Sequence, residues 1–581
     1  MKLLKIMGYL KRYWYVAILP PLFMLGEVYF LLLIPKTSGN IIVVGITDQN
    51  LPKVIEMSLM MLLFTTLSVV FGYLSQYFSN VASNEVANDL RIETFTKSLN
   101  MSFTNLDEFQ VGKVITRVTS DTNIIRMMIR TILRTFLRAP ILIFGAIFMV
   151  VTLSPKLAIT LLVAIPFMFI ANYIIIKKSF PKFRLVQEKL ENINTFTQEN
   201  LENIRVVKAF NRKEYVIDKF DEYINELQDT TIKANIITSL NSPIFQFVTN
   251  FCVVAVIYIG GLDVIADKYN AGNIIAFLGY LSQIMMALNL ISGLILEFPR
   301  AGASANRLYE LFEVQSEIKN SANPIKDVEI KGKIEFRNVT FAYKGQEEPI
   351  LKNVSFKIDS GQVLGILGTT GSGKTTLINL IPRFYDVTEG EILIDDINVK
   401  DYDLYTLRSQ ISTVMQKALL FAGTIADNIK FGRMSATDDE VDKASKAAEA
   451  YEFIEGFPEG YDTILGERGI NLSGGQKQRL SLARSLLVKP KILILDDSTS
   501  AVDMATEQRI LKALRQDVTD CTKIIIAQRI RSVLSADKIL ILEDGRVTGY
   551  GTHEELLKSN KFYQTLYNQQ MGGSNDEKQA G

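Results

Sequence analysis

The chain has 581 residues and a formal net charge of +1, so no overall basic excess points to a nucleic-acid partner. Its two cysteines and single histidine argue against a disulfide framework and exclude a metal site built from several histidines. Hydrophobic residues make up 48% of the chain and are concentrated toward the N-terminus.

The first residues, MKLLKIMGYLKRYWYVAILPPLF, combine a basic flank with an apolar run. The run is long and has no small-residue cleavage pattern, so it predicts a membrane helix and not a signal peptide. Five more apolar runs are long enough to cross about 30 Å of hydrocarbon. The predicted spans are 14–35, 54–78, 137–154, 157–176, 243–262 and 274–297.

Two connections between these spans, 79–136 and 177–242, are long and rich in lysine and arginine. The positive-inside rule places them, and both termini, in the cytoplasm of a multi-pass cell-membrane protein. In FRLVQEKLENINTFTQENLENIRVVKAF the apolar residues recur at helical spacing. A solvated loop is one interpretation of the two connections. The pattern favours the other, a pair of helical levers that reach roughly 40 Å below the membrane.

One ionisable residue, Glu27, lies inside the first predicted span, where a charge is expensive. Two interpretations stay open. Either Glu27 has a functional role, or its carboxylate faces a watery cavity without a specific ligand.

After the sixth span the composition changes, and short apolar runs alternate with helical segments. This alternation predicts an α/β domain with a parallel sheet. The expected organisation is a six-helix, all-α transmembrane domain with long cytoplasmic extensions at 1–310, a linker at 311–332, the α/β domain at 333–570 and a disordered tail at 571–581.

The α/β half contains GILGTTGSGKTT, a phosphate-binding loop that follows the strand QVLGILG and opens a helix. Its glycines let backbone N–H groups cradle phosphates, while Lys374 is expected to reach the β- and γ-phosphates. Mg²⁺ is expected to be held by Thr375 and by Asp496, which ends the apolar strand KILILD. ATP and Mg²⁺ are the predicted cofactors. The predicted phosphate-binding residues are Gly368, Thr369, Thr370, Gly371, Ser372, Gly373, Lys374, Thr375 and Thr376.

Between the loop and Asp496 lies NLSGGQKQRLSLARSL. This segment resembles the signature of ATP-binding cassette (ABC) transporters, and six preceding spans make the whole chain similar to an ABC exporter half-transporter. The resemblance implies that Tyr343 stacks on adenine, that Gln416 touches Mg²⁺ and water, and that Asp503 lies at a dimer interface. It also matches Glu467, and Gly112, Arg117 and Asp121 of the first intracellular connection, to exporter segments that couple the two domains.

In this family ATP is held between two cassettes, so the signature of one chain serves nucleotide bound by the other. A glycine pair at a helix start presents N–H groups suited to a γ-phosphate. The signature residues expected to act on the partner's nucleotide are Ser473, Gly474, Gly475 and Gln476.

Two residues depart from the family pattern. The catalytic position beside Asp496 is Asp497 where the family has glutamate, and Gln528 stands where the family has histidine. Aspartate and glutamate have similar pKa values, roughly 3.9 and 4.3, so the main difference is a reach shorter by about 1.5 Å. The pattern is similar to the degenerate-site half of bacterial heterodimeric exporters, and it predicts a site that binds ATP and cleaves it slowly.

Other interpretations remain: a homodimeric exporter with slow ATPase, or an ATP-gated membrane regulator that does not pump. An importer is disfavoured, because importers usually carry the two domains on separate chains. The expected cargo is a small amphipathic compound, with family resemblance favouring multidrug export. Residues expected to line its cavity are Glu27, Tyr29, Phe30, Phe144, Phe148, Phe247, Met285 and Met286.

Overall fold

The computed structural model describes residues 2–47, 49–109, 111–266 and 270–571. The chain divides into two compact units, one formed by Met1–Leu99 and Val111–Glu313 and the other by Asn100–Gln110 and Val314–Gly581. Apart from Met571, the predicted tail lies outside the described residues.

The first unit is all helical within its described residues, and six of its helical stretches are long and apolar enough to cross a membrane, as predicted. These stretches are Leu19–Gly45, Leu51–Leu99, Val111–Leu153, Pro155–Glu202, Lys213–Ile265 and Ala271–Leu290. The α-helices are α1 Lys2–Met7, α2 Trp14–Ala17, α3 Leu19–Ile42, α4 Leu51–Leu99, α5 Phe103–Phe109, α6 Val111–Thr116, α7 Thr122–Thr131, α8 Leu137–Leu153, α9 Pro155–Glu202, α10 Ile204–Ala209, α11 Lys213–Ser239, α12 Asn241–Ile265 and α13 Ala271–Glu313, of which α5 belongs to the second unit.

Small residues let α3 and α4 pack closely. Ser68, Gly72, Ser75 and Ser79 recur along one buried face of α4, and a Cβ added at Gly72 would stand 3.1 Å from the carboxyl carbon of Glu27. Small side chains allow helix backbones to approach inside a membrane, where no hydrophobic force drives helices together. This face therefore fixes α4 against the helix that carries Glu27.

Several helices continue far beyond the hydrocarbon thickness. The 48 residues of α9 span about 72 Å at 1.5 Å per residue, more than twice the roughly 30 Å of a bilayer core. Helix α11 packs back along α9, and Phe196 stacks against Phe220 with ring centroids 6.5 Å apart. The long patterned connections are thus helical, which confirms the predicted extensions.

The second unit contains a six-stranded sheet of order β12-β11-β3-β10-β9-β6, parallel except for β12, and a four-stranded antiparallel sheet of order β2-β1-β4-β5. The strands are β1 Ile334–Phe341, β2 Leu351–Ile358, β3 Val363–Gly368, β4 Glu389–Ile394, β5 Ile397–Asn398, β6 Ile411–Val414, β7 Gly423–Thr424, β8 Ile464–Leu465, β9 Ile492–Asp496, β10 Thr522–Ile526, β11 Lys538–Glu543 and β12 Arg546–Gly551. The helices are α14 Lys374–Leu380, α15 Leu404–Ser409, α16 Ile425–Lys430, α17 Asp438–Ala447, α18 Tyr451–Glu455, α19 Gly474–Leu487, α20 Met504–Gln516, α21 His553–Ser559 and α22 Lys561–Met571.

The parallel strands are buried on both faces. All five residues of β9 and all five of β10 are buried, which explains why KILIL and KIIIA read as continuous apolar runs and not as alternating patterns. Because these strands are parallel, the segments that follow β3, β6, β9 and β10 meet at one edge of the sheet, where ligands bind in folds of this type.

Candidate nucleotide site

The phosphate-binding loop joins β3 to α14, and glycine is required at several of its positions. Gly371 and Gly373 have φ angles of 83° and 96°, in the left-handed region that side chains disfavour. A Cβ on Gly368 would lie 2.1 Å from the carbonyl oxygen of Leu542. The loop can therefore curl tightly, as a phosphate cradle requires.

The side chain of Lys374 bends back toward the backbone of the phosphate-binding loop. Lys374 Nζ donates hydrogen bonds to the carbonyl oxygens of Gly368 at 2.9 Å and Thr369 at 2.7 Å. Burial lowers the pKa of Lys374, and the charges of Asp496 and Asp497 act in the opposite direction. The ammonium group is thus held at the loop, where a phosphate would be cradled.

Thr375 and Asp496, two of the predicted Mg²⁺ ligands, lie next to each other. The Thr375 hydroxyl donates to Asp496 Oδ2 at 2.9 Å, and Asp496 is 6% exposed. Burial raises the pKa of Asp496, the charge of Asp497 adds to that effect, and the Thr375 hydrogen bond opposes it. A hydroxyl and a carboxylate side by side are the hard oxygen ligands that Mg²⁺ prefers, so these residues fit the metal.

Asp497 accepts two amide hydrogen bonds on one oxygen. Its Oδ2 receives Gln528 Nε2 at 2.8 Å and Gln416 Nε2 at 3.3 Å. The residue is buried and has a φ of 47°, which is uncommon for a side chain other than glycine. Burial raises the pKa of Asp497, while the hydrogen bonds from both glutamines counteract that effect.

These three side chains come from the ends of three different strands. Gln416 follows β6, Asp497 follows β9 and Gln528 follows β10. The structure thus brings all three predicted catalytic residues together, and Gln528 bonds directly to Asp497. The single histidine, His553, lies elsewhere in α21, with Nδ1 2.6 Å from the Tyr563 hydroxyl oxygen.

The residue predicted to stack on adenine, Tyr343, lies beside the phosphate loop. Its hydroxyl is 3.2 Å from Thr376 Oγ1, and its ring meets Tyr385 edge-on with centroids 5.1 Å apart. Tyr343 lines a cavity of about 390 Å³ that also includes Asp107 and Lys344. The Tyr385 hydroxyl donates to Asp107 at 2.8 Å. Sequence analysis missed Tyr385, because no motif marks it.

The signature opens α19 with a reciprocal cap. The Ser473 hydroxyl accepts from the Gln476 backbone N–H, and the Gln476 side chain accepts from the Ser473 backbone N–H. Gly475 is needed for close packing, since a Cβ there would stand 2.9 Å from the Ala501 carbonyl oxygen. Ser473 and Gly474 are exposed at this helix start. Asp503 caps α20 by accepting from Thr506 N at 3.0 Å, and this backbone hydrogen bond lowers the pKa of Asp503.

In the membrane unit, Glu27 is buried among charged and polar groups. Arg138 Nη2 lies 2.9 Å from Glu27 Oε1, and Arg134 Nη2 lies 3.7 Å from Glu27 Oε2. The backbone carbonyl of Glu27 also accepts from Ser68 at 3.2 Å. Glu27 is 5% exposed in this chain, so its carboxylate is ion-paired and does not face an open cavity. The two arginines were not predicted as its partners.

A second ionic cluster ties the first connection to the end of α13. Asp121, 1% exposed, receives Arg307 Nε at 2.9 Å and also the Arg307 Nη2 group. Arg117 Nη2 lies 3.6 Å from Glu310 Oε2. Arg117 and Asp121 were predicted as parts of this connection, whereas Arg307 and Glu310 were not.

Known proteins share both units. The ABC transporter transmembrane region matches residues 22–288, and the ABC transporter domain matches residues 351–500. The chain is 37% identical to the uncharacterized ABC transporter ATP-binding protein YfiB of Bacillus subtilis over 573 residues, which cover 99% of each chain. It is 33% identical to the putative multidrug export ATP-binding/permease protein YgaD of the same organism, over 90% of each.

A solved structure of a bacterial Atm1-family ABC exporter with ATP bound superposes with a TM-score of 0.81 at 26% identity, covering 97% of this chain and 98% of the other. The fold and the site therefore define an ABC exporter half-transporter. The chain belongs to the ABC transporter family, as a multi-pass membrane subunit with an ATP-binding domain.

Proposed function

We propose that this chain is one subunit of a heterodimeric exporter of amphipathic or hydrophobic compounds in the cell membrane, with both termini in the cytoplasm. Its own site binds ATP and Mg²⁺ and hydrolyses ATP slowly. Its intact signature, Leu472–Gln476, completes the hydrolytic site of a partner half-transporter.

The observation that carries this proposal is the position of the Asp497 carboxylate. A general base must come within hydrogen-bond reach of the proton that it removes. Asp497 is shorter than glutamate by about 1.5 Å, and its Oδ2 already accepts from Gln528 and Gln416. Burial raises the pKa of Asp497, but added basicity does not replace reach, because a misplacement of about 1 Å can lower a rate on the order of 10²-fold.

Gln528 supports the same conclusion. An amide can donate a hydrogen bond, but it cannot carry the positive charge that a histidine acquires on protonation. In this chain the Gln528 amide points at Asp497. Beside the charged Lys374, the site therefore lacks both a long carboxylate next to Asp496 and a chargeable side chain at position 528.

Nucleotide binding is proposed to depend on groups that match the family. Lys374 and the curled loop hold phosphates, and Tyr343 stacks on adenine. Thr375 and Asp496, with Gln416, would hold Mg²⁺, which when bound neutralises phosphate charge.

A partner is supported by the exposed hairpin of α9 and α11. Helix α11 packs chiefly against α9, α10 and α12, yet apolar side chains on the hairpin remain exposed, among them Leu201, Phe210 and Ile236. Exposed apolar side chains of this kind mark surfaces that bind another protein or a membrane. A second half-transporter is the occupant that this family's architecture favours.

The cargo class is proposed from the relatives and from the membrane unit. YgaD is named as a putative multidrug exporter. A crevice of about 450 Å³ between α9 and α12 is lined by apolar side chains that include Phe167, Phe247 and Phe251. Such a lining suits hydrophobic or amphipathic molecules better than sugars or ions.

The test is restoration of the missing groups. Asp497→Glu combined with Gln528→His is tested in the full chain, reconstituted in lipid nanodiscs that each hold two copies, so that the signature of one copy faces the site of the other. ATP turnover should rise by on the order of 10-fold to 10²-fold with little change in ATP affinity. Lys374→Ala added to the same double variant is the control and should abolish turnover. An unchanged rate in the double variant would contradict the proposal.

A further inference from the structure

Behind the Asp497–Gln528 pair lies a buried carboxylate that no motif marks. Glu507, in the first turns of α20, is 7% exposed. Its Oε1 accepts hydrogen bonds from the Thr499 hydroxyl at 2.7 Å and from the Ser532 hydroxyl at 2.6 Å. Its Oε2 lies 3.6 Å from Arg529 Nη1. A buried carboxylate with this many partners is a fixed part of the fold.

The two hydroxyls come from the two segments that meet at the nucleotide site. Thr499 lies two residues after Asp497, and Ser532 lies four residues after Gln528. The segments after β9 and β10 are thus joined twice. One link is the Gln528–Asp497 hydrogen bond, and the other passes through Glu507.

The loop that contains Thr499 is also held from the signature helix. Gln478 of α19 is buried; its Nε2 donates to Ser500 Oγ at 3.4 Å, and its Oε1 accepts from Ala501 N at 3.1 Å. Glu507 holds one side of this loop, and α19 holds the other. Any shift at Gln528 that moves Ser532 therefore pulls, through Glu507, on a loop fixed to the helix that Ser473 opens.

We infer that Glu507 is a positioning residue, which ties segment 528–532 to loop 497–501 and so sets the contact between Gln528 and Asp497. This inference rests on the proposed function, because Glu507 would set the geometry of the slow nucleotide site. It also gives this site a physical route to the signature that serves the partner's ATP.

Charge explains why a carboxylate occupies this position. One oxygen receives two O–H donors while the other faces a guanidinium, an arrangement that an acceptor-only group satisfies fully. An amide in the same place would keep one acceptor but turn an N–H₂ group toward Arg529. Glu507→Gln should therefore weaken the link less than Glu507→Ala.

The primary experiment measures hydrogen–deuterium exchange in the full-length chain in nanodiscs without nucleotide. Glu507→Ala removes the hydrogen bond from Ser532 and the one from Thr499. Exchange of 527–533 and of 498–502 should each become about fivefold faster, because each segment loses one buried hydrogen bond. Ser532→Ala should do the same for 527–533, and the two changes together should add nothing further, since both break one link. Gln508→Ala, the exposed neighbour on α20, is the control and should leave both segments unchanged.

Unchanged exchange in Glu507→Ala, or effects of Glu507→Ala and Ser532→Ala that add in full, would overturn the inference. If Glu507→Ala does not fold, Thr499→Val and Ser532→Ala take its place. Non-additive effects of these two changes support the link, and additive effects refute it.

A second readout separates positioning from general stability. In the Asp497→Glu, Gln528→His variant, Glu507→Ala should lower kcat about tenfold and leave the dissociation constant of ATP within about twofold. The positioning role would be refuted if kcat did not fall, or if kcat and the affinity for ATP fell by equal factors. If the double variant itself shows no faster turnover, the proposed function fails, while the exchange experiment still decides the role of Glu507.

Discussion

At the scale of single residues, the nucleotide site differs from the family pattern at two side chains that touch each other. Gln528 donates to Asp497 at 2.8 Å, so the two departures form one unit. A glutamate at 497 would carry its carboxylate past the present contact, and a histidine at 528 would present a different donor. The effects of changing them are expected to depend on one another.

The first prediction concerns this dependence. Asp497→Glu alone leaves the Gln528 amide as a competing donor, and Gln528→His alone leaves the carboxylate too short. Each single change should raise turnover by only a few-fold, and the double change should exceed the product of the two. Steady-state ATPase assays of all four proteins measure this coupling. Independent effects of the two changes would contradict it.

The second prediction follows from the raised pKa of Asp497. Burial makes the folded chain bind a proton at this group more readily than the unfolded chain does. Stability is therefore lost as pH rises above the ordinary carboxyl pKa of about 4, and the penalty is fully present at neutral pH. Asp497→Asn should raise Tm by about 2 °C at pH 7, and the gain should shrink as pH falls toward 4.

The control for this prediction is Asp503→Asn. The hydrogen bond from Thr506 N lowers the pKa of Asp503, so the sign is reversed: its charge stabilises the fold above the ordinary carboxyl pKa. Differential scanning fluorimetry at several pH values should show no gain at pH 7 for Asp503→Asn. A lower Tm for Asp497→Asn at pH 7 would refute the argument.

At the scale of helices and strands, local patterns predicted the fold well. The six spans and the strand–loop–helix around Lys374 follow from hydrophobicity and glycine spacing within short windows. Contacts between distant segments were not predictable. Periodicity shows that Asp497 and Gln528 both follow buried strands, but not that their side chains meet. Asp107 and Tyr385, which are hydrogen-bonded, are 278 positions apart.

The antiparallel sheet β2-β1-β4-β5 was not predicted either. Strand β5 has only two residues, and the sheet depends on the pairing of β1 with β4, which places Ile334 opposite Ile394, 60 positions along the chain. Glu507 was missed for a related reason. It lies in an ordinary amphipathic helix, and only the folded arrangement brings Thr499 and Ser532 to it.

The third prediction belongs to the α9–α11 hairpin. Ile232 and Ile236 lie one turn apart on α11 and are 47% and 58% exposed. Changing both to serine should lower the fraction of this chain that forms two-copy dimers in detergent. The change removes apolar area that a second copy, in the place of the partner half-transporter, would cover. Light scattering after size-exclusion chromatography gives the mass. Asp229→Ser, a change at a charged position on the same helix, should leave that mass unaltered.

A reduced melting temperature with an unchanged dimeric fraction would mean that the two isoleucines only stabilise their own hairpin. This result would remove the hairpin as support for a partner and leave the nucleotide-site argument intact.

At the scale of the whole molecule, the chain is an ABC exporter subunit with a membrane unit and a nucleotide-binding cassette. The membrane unit has six spans and a buried Glu27 paired with two arginines. The cassette has a phosphate loop and a signature that match the family, beside an aspartate at position 497 that is one C–C bond shorter than the family's glutamate. An unequal pair of sites, one holding ATP and one cleaving it, is the arrangement that these features favour.

The most direct test is the ATPase rate of this chain purified without any partner and reconstituted in nanodiscs, measured with and without Asp497→Asn. We expect firm ATP·Mg²⁺ binding and a turnover far below about 10 per second, the middle of the range for enzymes, with no significant change on neutralising Asp497. A turnover near that value that falls steeply in Asp497→Asn would show that Asp497 is a working catalytic base, and the proposed slow site would be wrong.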